Sequence, residues 1–274
     1  MTSIALANGA TSTYAYDNDD RVTGIVQKNG AGAVLLSHDY GYDLAGNVTL
    51  RTDTKAGADP VAVAYGYDKR DQLKIERAQK MGTSTTPLYQ NEYGYDNNLN
   101  RTAKTVTLGT NAPTTDAYTL YPNSNRVKTA GSKTYSYDAK GNVSSVSVGG
   151  TSSASAVWSV DNRLTSLTNA GGTSLYTYNG SGLRTSKTVN GGATKSHLTD
   201  GDSPASALLA AGNATYVPVV SEKRGSVTSF FLFDLLGSVW AVSGAGGAAI
   251  TGIVTASSFE RPCAASFNPK SERL

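Results

Sequence analysis

The apolar pattern along the chain has a period of two and is broken at short intervals by clusters of Asp, Asn and Gly. Segments such as Val61-Ala62-Val63-Ala64-Tyr65 and Val143-Ser144-Ser145-Val146-Ser147-Val148 alternate apolar with small or polar residues, the pattern of strands with one covered face. The sharpest alternation is a pair of aromatics one residue apart. It occurs as Tyr14/Tyr16, Tyr40/Tyr42, Tyr65/Tyr67, Tyr93/Tyr95, Tyr135/Tyr137 and Tyr176/Tyr178, and as Phe231/Phe233. Both rings of such a pair project from one face of a strand. Sustained helical periodicity is absent; the short Ala-rich piece at residues 204–211 is the best helix candidate.

The aromatic pair opens a recurring tile, best formed as Tyr135-Ser136-Tyr137-Asp138-Ala139-Lys140-Gly141-Asn142-Val143. After the second aromatic comes Asp17, Asp43, Asp68, Asp96, Asp138 or Asp234, with Asn179 in one copy. A short carboxylate there can accept hydrogen bonds from backbone N–H groups two or more residues on, which opens a turn. Three residues later stands Gly46, Gly141, Gly182 or Gly237, at a point where a tight loop needs a positive φ. A Val or Leu then starts the return strand, so one tile predicts one β-hairpin. Asp20 and Asp71 in the Gly slot are compatible with that turn, since Asp tolerates the left-handed region. Leu99 is not, and marks an altered turn. Weaker copies sit at Tyr121 to Val127 and at Trp158 to Leu164, where Asp161 is read as the turn aspartate.

Composition supports an all-β chain. The sequence has 274 residues with 29 Gly and 16 Tyr, and 12 of those Tyr belong to the six pairs, so the rings belong to the framework and not to one site. The tiles fall 25 to 28 residues apart from Tyr16 to Tyr121 and closer thereafter. Four stretches are expected: a lead-in at 1–13, a tile array at 14–194, a late segment of different texture at 195–256, and an irregular tail at 257–274.

Charge and chemistry add constraints. A net charge of +3 with scattered basic residues does not suggest a nucleic-acid partner. The single cysteine, Cys263, excludes an internal disulfide or a multi-cysteine metal site. No apolar run is long enough to span a membrane, and the N-terminus does not read as a signal peptide. Seven of the 16 Asp lie in turn slots, which favours turn capping over general acid/base work. His38 beside Asp39 and His197 near Asp200 are the candidates for a Ser-His-Asp site, but neighbours in a strand face opposite ways and no nucleophile elbow is present. Residues 244–247 lack the Lys of a phosphate loop. The acidic clusters Asp17-Asn18-Asp19-Asp20 and Asp200-Gly201-Asp202 lack further Ca²⁺ ligands. No cofactor and no metal are expected.

The repeated Tyr-x-Tyr-Asp-x-x-Gly-Asn/Arg-Val/Leu tile resembles the defining unit of the YD-repeat, or Rhs-repeat, family of bacterial proteins, related to the teneurin shell and to the encapsulating component of Tc toxins. Asp234-Leu235-Leu236-Gly237-Ser238-Val239 is similar to the family's late Asp-His-Leu-Gly-Ser motif, with Leu235 in the His place. The resemblance covers roughly residues 14–262. It implies repeated β-hairpins forming a spiralling sheet, part of a hollow shell around a toxic domain or partner polypeptide, in a secreted or cell-surface protein without an active site of its own. Its partners would be the remaining shell segments or an encapsulated toxin polypeptide, with self-association through unpaired sheet edges. Phe259-Glu260-Arg261-Pro262 resembles a worn family stretch, and the absence of a following self-cleavage motif and toxin is expected to mark a truncated copy. A carbohydrate-binding surface protein using exposed Tyr pairs is the alternative reading, with glycans as partners.

Overall fold

The alternating segments form 24 β-strands and no helix among the described residues. A computed structural model describes residues 2–82, 86–199, 201, 208–218, 220–236, 239–244 and 249–250. The chain divides into two units, one of residues 1–115 with 227–274 and the other of residues 116–226.

The first unit opens with β1 (Ser3–Ala5), β2 (Thr11–Tyr16), β3 (Val22–Lys28), β4 (Val34–Tyr42), β5 (Val48–Lys55), β6 (Val61–Tyr67), β7 (Leu73–Lys80), β8 (Tyr89–Tyr95) and β9 (Arg101–Leu108). Each pairs antiparallel with its sequence neighbour. β10 (Thr114–Leu120) straddles the boundary. The second unit continues with β11 (Val127–Ala130), β12 (Lys133–Tyr137), β13 (Val143–Val148), β14 (Thr151–Trp158), β15 (Leu164–Asn169), β16 (Gly172–Tyr178), β17 (Arg184–Val189), β18 (Lys195–Thr199), β19 (Leu208–Ala211), β20 (Ala214–Val217) and β21 (Ser221–Arg224). From β10 to β21 the pairing is again antiparallel and sequential. β22 (Val227–Phe233), β23 (Val239–Ser243) and β24 (Ala249–Ile250) belong to the first unit and pair in the same way.

Every hairpin built on an aromatic pair carries the same irregularity. Its register slips by one residue just before the second aromatic, at Ala15/Tyr16, Gly41/Tyr42, Gly66/Tyr67, Gly94/Tyr95, Ser136/Tyr137, Thr177/Tyr178 and Leu232/Phe233. The worn copy does so at Val157/Trp158. Opposite Tyr42, for example, Val48 and Leu50 have partners while Thr49 between them has none. That is a β-bulge, which bends the return strand and increases its twist. The extra residue is Thr23, Thr49, Lys74, Thr102, Ser144, Thr165, Thr185 or, in the last hairpin, Trp240.

Three expectations are corrected. Residues 208–211 form strand β19, flanked by β18 and β20, and not a helix; an eight-residue candidate is too short to stand as a helix alone, whereas both edges of this segment find ladder partners. Leu99 does not alter its turn: it adopts φ +68° and its N–H reaches Asp96 O at 3.2 Å, as Gly46 N–H does to Asp43 O at 3.1 Å. In the worn copy the turn position belongs to Ser159, whose Oγ accepts from Asp161 and Arg163 N–H, and Asp161 is a loop residue. Gly237, Asp200, Asp202, Cys263 and the tail at 257–274 lie outside the described residues.

Two apolar clusters anchor the first unit. Val63, Ala78 and Tyr89 pack with Val61, Tyr65 and Leu88. Leu36, Leu232, Trp240 and Ala241 pack with Leu6 and Leu35, which seats the last hairpin, β22–β23, against the start of the same unit.

Candidate functional site

Five tile turns are built from one carboxylate each. Asp138 Oδ1 accepts from Lys140 N–H at 2.9 Å and Asn142 N–H at 2.8 Å, and its Oδ2 accepts from Asn142 Nδ2 at 3.0 Å. Asp17, Asp43, Asp68 and Asp96 accept the corresponding backbone bonds. The loop residue that follows has φ +90° in Gly46, +86° in Gly141 and +85° in Gly182, against +59° in Asp20 and +58° in Asp71.

These bonds hold all five carboxyls below the ordinary aspartate range. For Asp96 and Asp138 the largest cause is the side-chain amide of Asn100 or Asn142; for Asp68 it is the N–H of Arg70. In Asp17 and Asp43 desolvation pushes upward and is outweighed by hydrogen bonds from Arg21 and Asn47. A carboxylate committed in this way is a poor general acid.

In five tiles the second aromatic reaches back to the preceding return strand. Tyr42 Oη donates to Val22 O at 2.6 Å, Tyr67 to Val48 O at 2.8 Å, Tyr95 to Leu73 O at 2.9 Å, Tyr137 to Val127 O at 2.8 Å and Tyr178 to Leu164 O at 2.8 Å. In the worn copy Trp158 Nε1 does the same to Val143 O at 2.8 Å. The acceptor is each time the first residue of the previous return strand, next to its bulge. Arg21, Arg126 and Arg163 then lie over Tyr42, Tyr137 and Tyr178, 4.8, 5.6 and 5.7 Å from the ring centroids, within cation–π range. Burial raises the pKa of Tyr42, Tyr67, Tyr95 and Tyr178.

The turns are also laced to one another. Arg21 donates to Asp43 O, Asn47 to Asp71 Oδ1, and Arg70 to Asn97 O, joining four successive turns of the first unit. In the second unit Lys140 donates to Val160 O, Asn142 to Asn162 Oδ1, and Arg163 to Gly182 O.

The first aromatics follow a different rule. Tyr14, Tyr65, Tyr93 and Tyr135 are half-buried, and Tyr40 and Tyr176 are buried. Of the second aromatics Tyr16, in the first tile, is exposed. Phe231 and Phe233 pack edge to face, 6.1 Å between centroids.

One buried polar group stands apart. His38 is 0% exposed, and its Nδ1 lies 2.7 Å from Asp53 Oδ1, directly across β4–β5. Arg51 Nε donates to Asp53 Oδ2 at 3.1 Å. Trp240 closes the group: its ring meets His38 edge-on at 4.8 Å and lies under Arg51 at 5.1 Å, and its Nε1 donates to Asp234 Oδ2 at 2.9 Å. Leu235 N–H donates to Tyr40 Oη at 3.2 Å, and the Tyr40 hydroxyl is pushed up to about 12, first by burial. Gln27 Nε2 to Phe233 O, 2.9 Å, and Asn8 Nδ2 to Ser243 Oγ, 3.0 Å, complete the seat of the hairpin. The sequence set His38 beside Asp39 and argued against that pair, because neighbours in a strand face opposite ways. Asp53 was out of reach of sequence spacing, since the register that brings it opposite His38 includes the bulge at Gly41/Tyr42.

Asp234 therefore holds Trp240 as well as the N–H of Leu236 at 2.9 Å. His197 meets Arg184 and not a catalytic serine, its Nδ1 3.2 Å from Arg184 O. Among the described residues no group of three or more His, Cys, Asp or Glu is placed to hold a metal ion, and no helix is long and apolar enough to cross a membrane.

Hairpins tiled in sequence order, bulged at one point and stitched turn to turn, define an all-β repeat protein. No family model and no curated protein matches the chain in sequence. Solved structures match it in fold. The Tc holotoxin pore of Photorhabdus luminescens superposes with a TM-score of 0.70 at 19% identity, covering 91% of this chain and 14% of that one. Crystal structures of TcdB2-TccC3-TEV and TcdB2-TccC3 give 0.64 at 18% and 0.60 at 16%, each covering 91% of this chain and 15% of the other. The chain is thus YD/Rhs shell-like in fold, and spans 14–15% of the length of the structures it matches.

Proposed function

We propose that this chain is a structural segment of an encapsulating YD/Rhs-type shell, secreted and without catalysis of its own, whose sheet edges continue into further shell segments or into a second copy and whose wall encloses a toxin or other partner polypeptide. One observation carries the reading: the residues that look chemical are spent on the framework, the tile Asp on closing its own turn, the tile Tyr on the preceding tile and the tile Arg on the next one. The fold likeness to Tc toxin structures supports it.

The test is light scattering on the purified chain across a concentration series, with hydrolase assays beside it. Assembly that grows with concentration agrees with an open wall. A stable monomer at every concentration, or a hydrolase activity lost in Asp138→Asn and kept in Asp96→Asn, would overturn the proposal.

A further inference from the structure

The second unit carries a cluster of cations that no described carboxylate pairs with. β17 and β18 pair so that Lys187 stands directly opposite Lys195, with Ser186 opposite Ser196. Like charges facing each other across a ladder destabilise it. Arg184 and His197 lie on the same face, the first because the bulge at Thr177/Tyr178 shifts the strand by one residue, the second two positions along β18. Tyr176 is the floor: the Arg184 guanidinium lies 5.6 Å and the Lys187 ammonium 5.8 Å from its ring centroid.

Arg184, Lys187 and Lys195 are the cations of this face, and His197, whose Nδ1 lies 3.4 Å from Arg184 Nε, stands beside them; among the described residues none of the four makes an ion pair, and the carboxylates that do are Asp17, Asp19, Asp53, Asp59 and Glu222, paired elsewhere. Arg184 and Lys195 are exposed and Lys187 and His197 half-exposed, over a buried Tyr176. His197 is held below its ordinary pKa, first by burial and also by the charges of Arg184 and Lys187, the sign of a local positive field.

We propose that this face binds an extended acidic segment of polypeptide, with side-chain carboxylates seated between Lys187 and Lys195 and beside Arg184 and His197. Spacing favours a peptide over an isolated anion. Lys195 and His197 are two strand positions apart, about 7 Å, and Glu or Asp at alternate positions of an extended chain presents carboxylates at that interval on one side. The placement of the charges carries this inference independently of the shell reading, since it needs only the second unit's own sheet.

The experiment is fluorescence anisotropy with the full chain and a labelled peptide of alternating Glu and Gly, against the same peptide with Gln. Saturable binding to the Glu peptide alone, weakening as salt is raised, is expected. Lys187→Glu should weaken it about tenfold or more while leaving the thermal midpoint unchanged or higher, because it converts a repelling cross-strand pair into an attracting one. Lys195→Glu should repeat both effects from the other strand, so that one poorly folded variant leaves the other to decide. Lys104→Glu, in the first unit, should leave binding as it is. Equal binding of both peptides, undiminished binding in a folded Lys187→Glu variant, or displacement by pyrophosphate or oligothymidylate at lower concentration than by unlabelled Glu peptide would overturn the proposal.

Discussion

The middle residue of an aromatic pair is Gly in three tiles, and its cross-strand partner explains one of them sharply. A Cβ added at Gly66 would lie 2.7 Å from Cγ2 of Ile75, the β-branched residue directly opposite. At Gly41 the nearest atom would be Leu50 Cβ at 3.6 Å, an ordinary contact. Gly66→Val is therefore expected to lower the denaturation midpoint well below that of Gly41→Ala, by about 1 to 3 kcal/mol as overpacking ordinarily costs, measured by urea unfolding followed by circular dichroism. Gly141, at φ +86° with Arg126 Nη1 as the only neighbour a Cβ would approach, at 3.9 Å, is constrained by conformation alone. Gly141→Ala should cost about 1 to 2 kcal/mol, and Gly141→Asn less, since Asn serves the same positive φ at Asn162.

At the scale of the hairpin, the aromatic ladder is a sequence of single hydrogen bonds with separable contributions. Removing the Tyr67 hydroxyl removes its bond to the Val48 carbonyl, so Tyr67→Phe should destabilise by about 1 kcal/mol, visible as a shift in urea midpoint without loss of the β-sheet spectrum. Trp240 is a different kind of residue. It fills the bulge position that Thr, Ser or Lys takes in the other bulged tiles, and it is 9% exposed against His38, Arg51 and Asp234. Trp240→Ala should cost about 3 to 5 kcal/mol and expose the hairpin first, a loss that hydrogen exchange would locate at β22–β23 and β4–β5. The tile was readable from spacing, since Tyr-x-Tyr-Asp names the strand and its turn. The bulge was not, because it depends on how two strands slide and leaves no mark on either strand by itself.

For the molecule as a whole, acid and alkali probe the same architecture from opposite sides. Asp17, Asp43, Asp68, Asp96 and Asp138 all have carboxyls held below the ordinary value. A group whose folded pKa is depressed contributes stability above its unfolded value, roughly 4, and loses it as pH falls through the folded value. The urea midpoint should hold level from neutral pH to about 5 and fall below about 4, and changing one tile Asp to Asn should flatten part of that fall. Tyrosines give the reverse. Tyr14, Tyr40, Tyr42, Tyr65, Tyr67, Tyr89, Tyr95 and Tyr178 are raised, chiefly by burial. Their contribution is complete below about 10 and lost as pH rises beyond it. Phenolate absorbance should therefore lag behind that of free tyrosine and then rise together with loss of the β-sheet signal.

Sequence by itself determined the strands, the turns and their repetition, because a period of two and a turn chemistry of Asp and Gly are local properties. It also predicted a framework role for the Asp and Tyr that recur tile after tile. Only the tertiary structure decided who meets whom at a distance. His38 finds Asp53 through a register that includes a bulge, Ser159 takes a turn position that Asp161 had claimed by type, and Lys187 faces Lys195 because β17 and β18 slide to that pairing. The physical reason is the same in each case: alternation fixes the face a side chain occupies, but register fixes its neighbour, and a one-residue slip changes every neighbour along the strand.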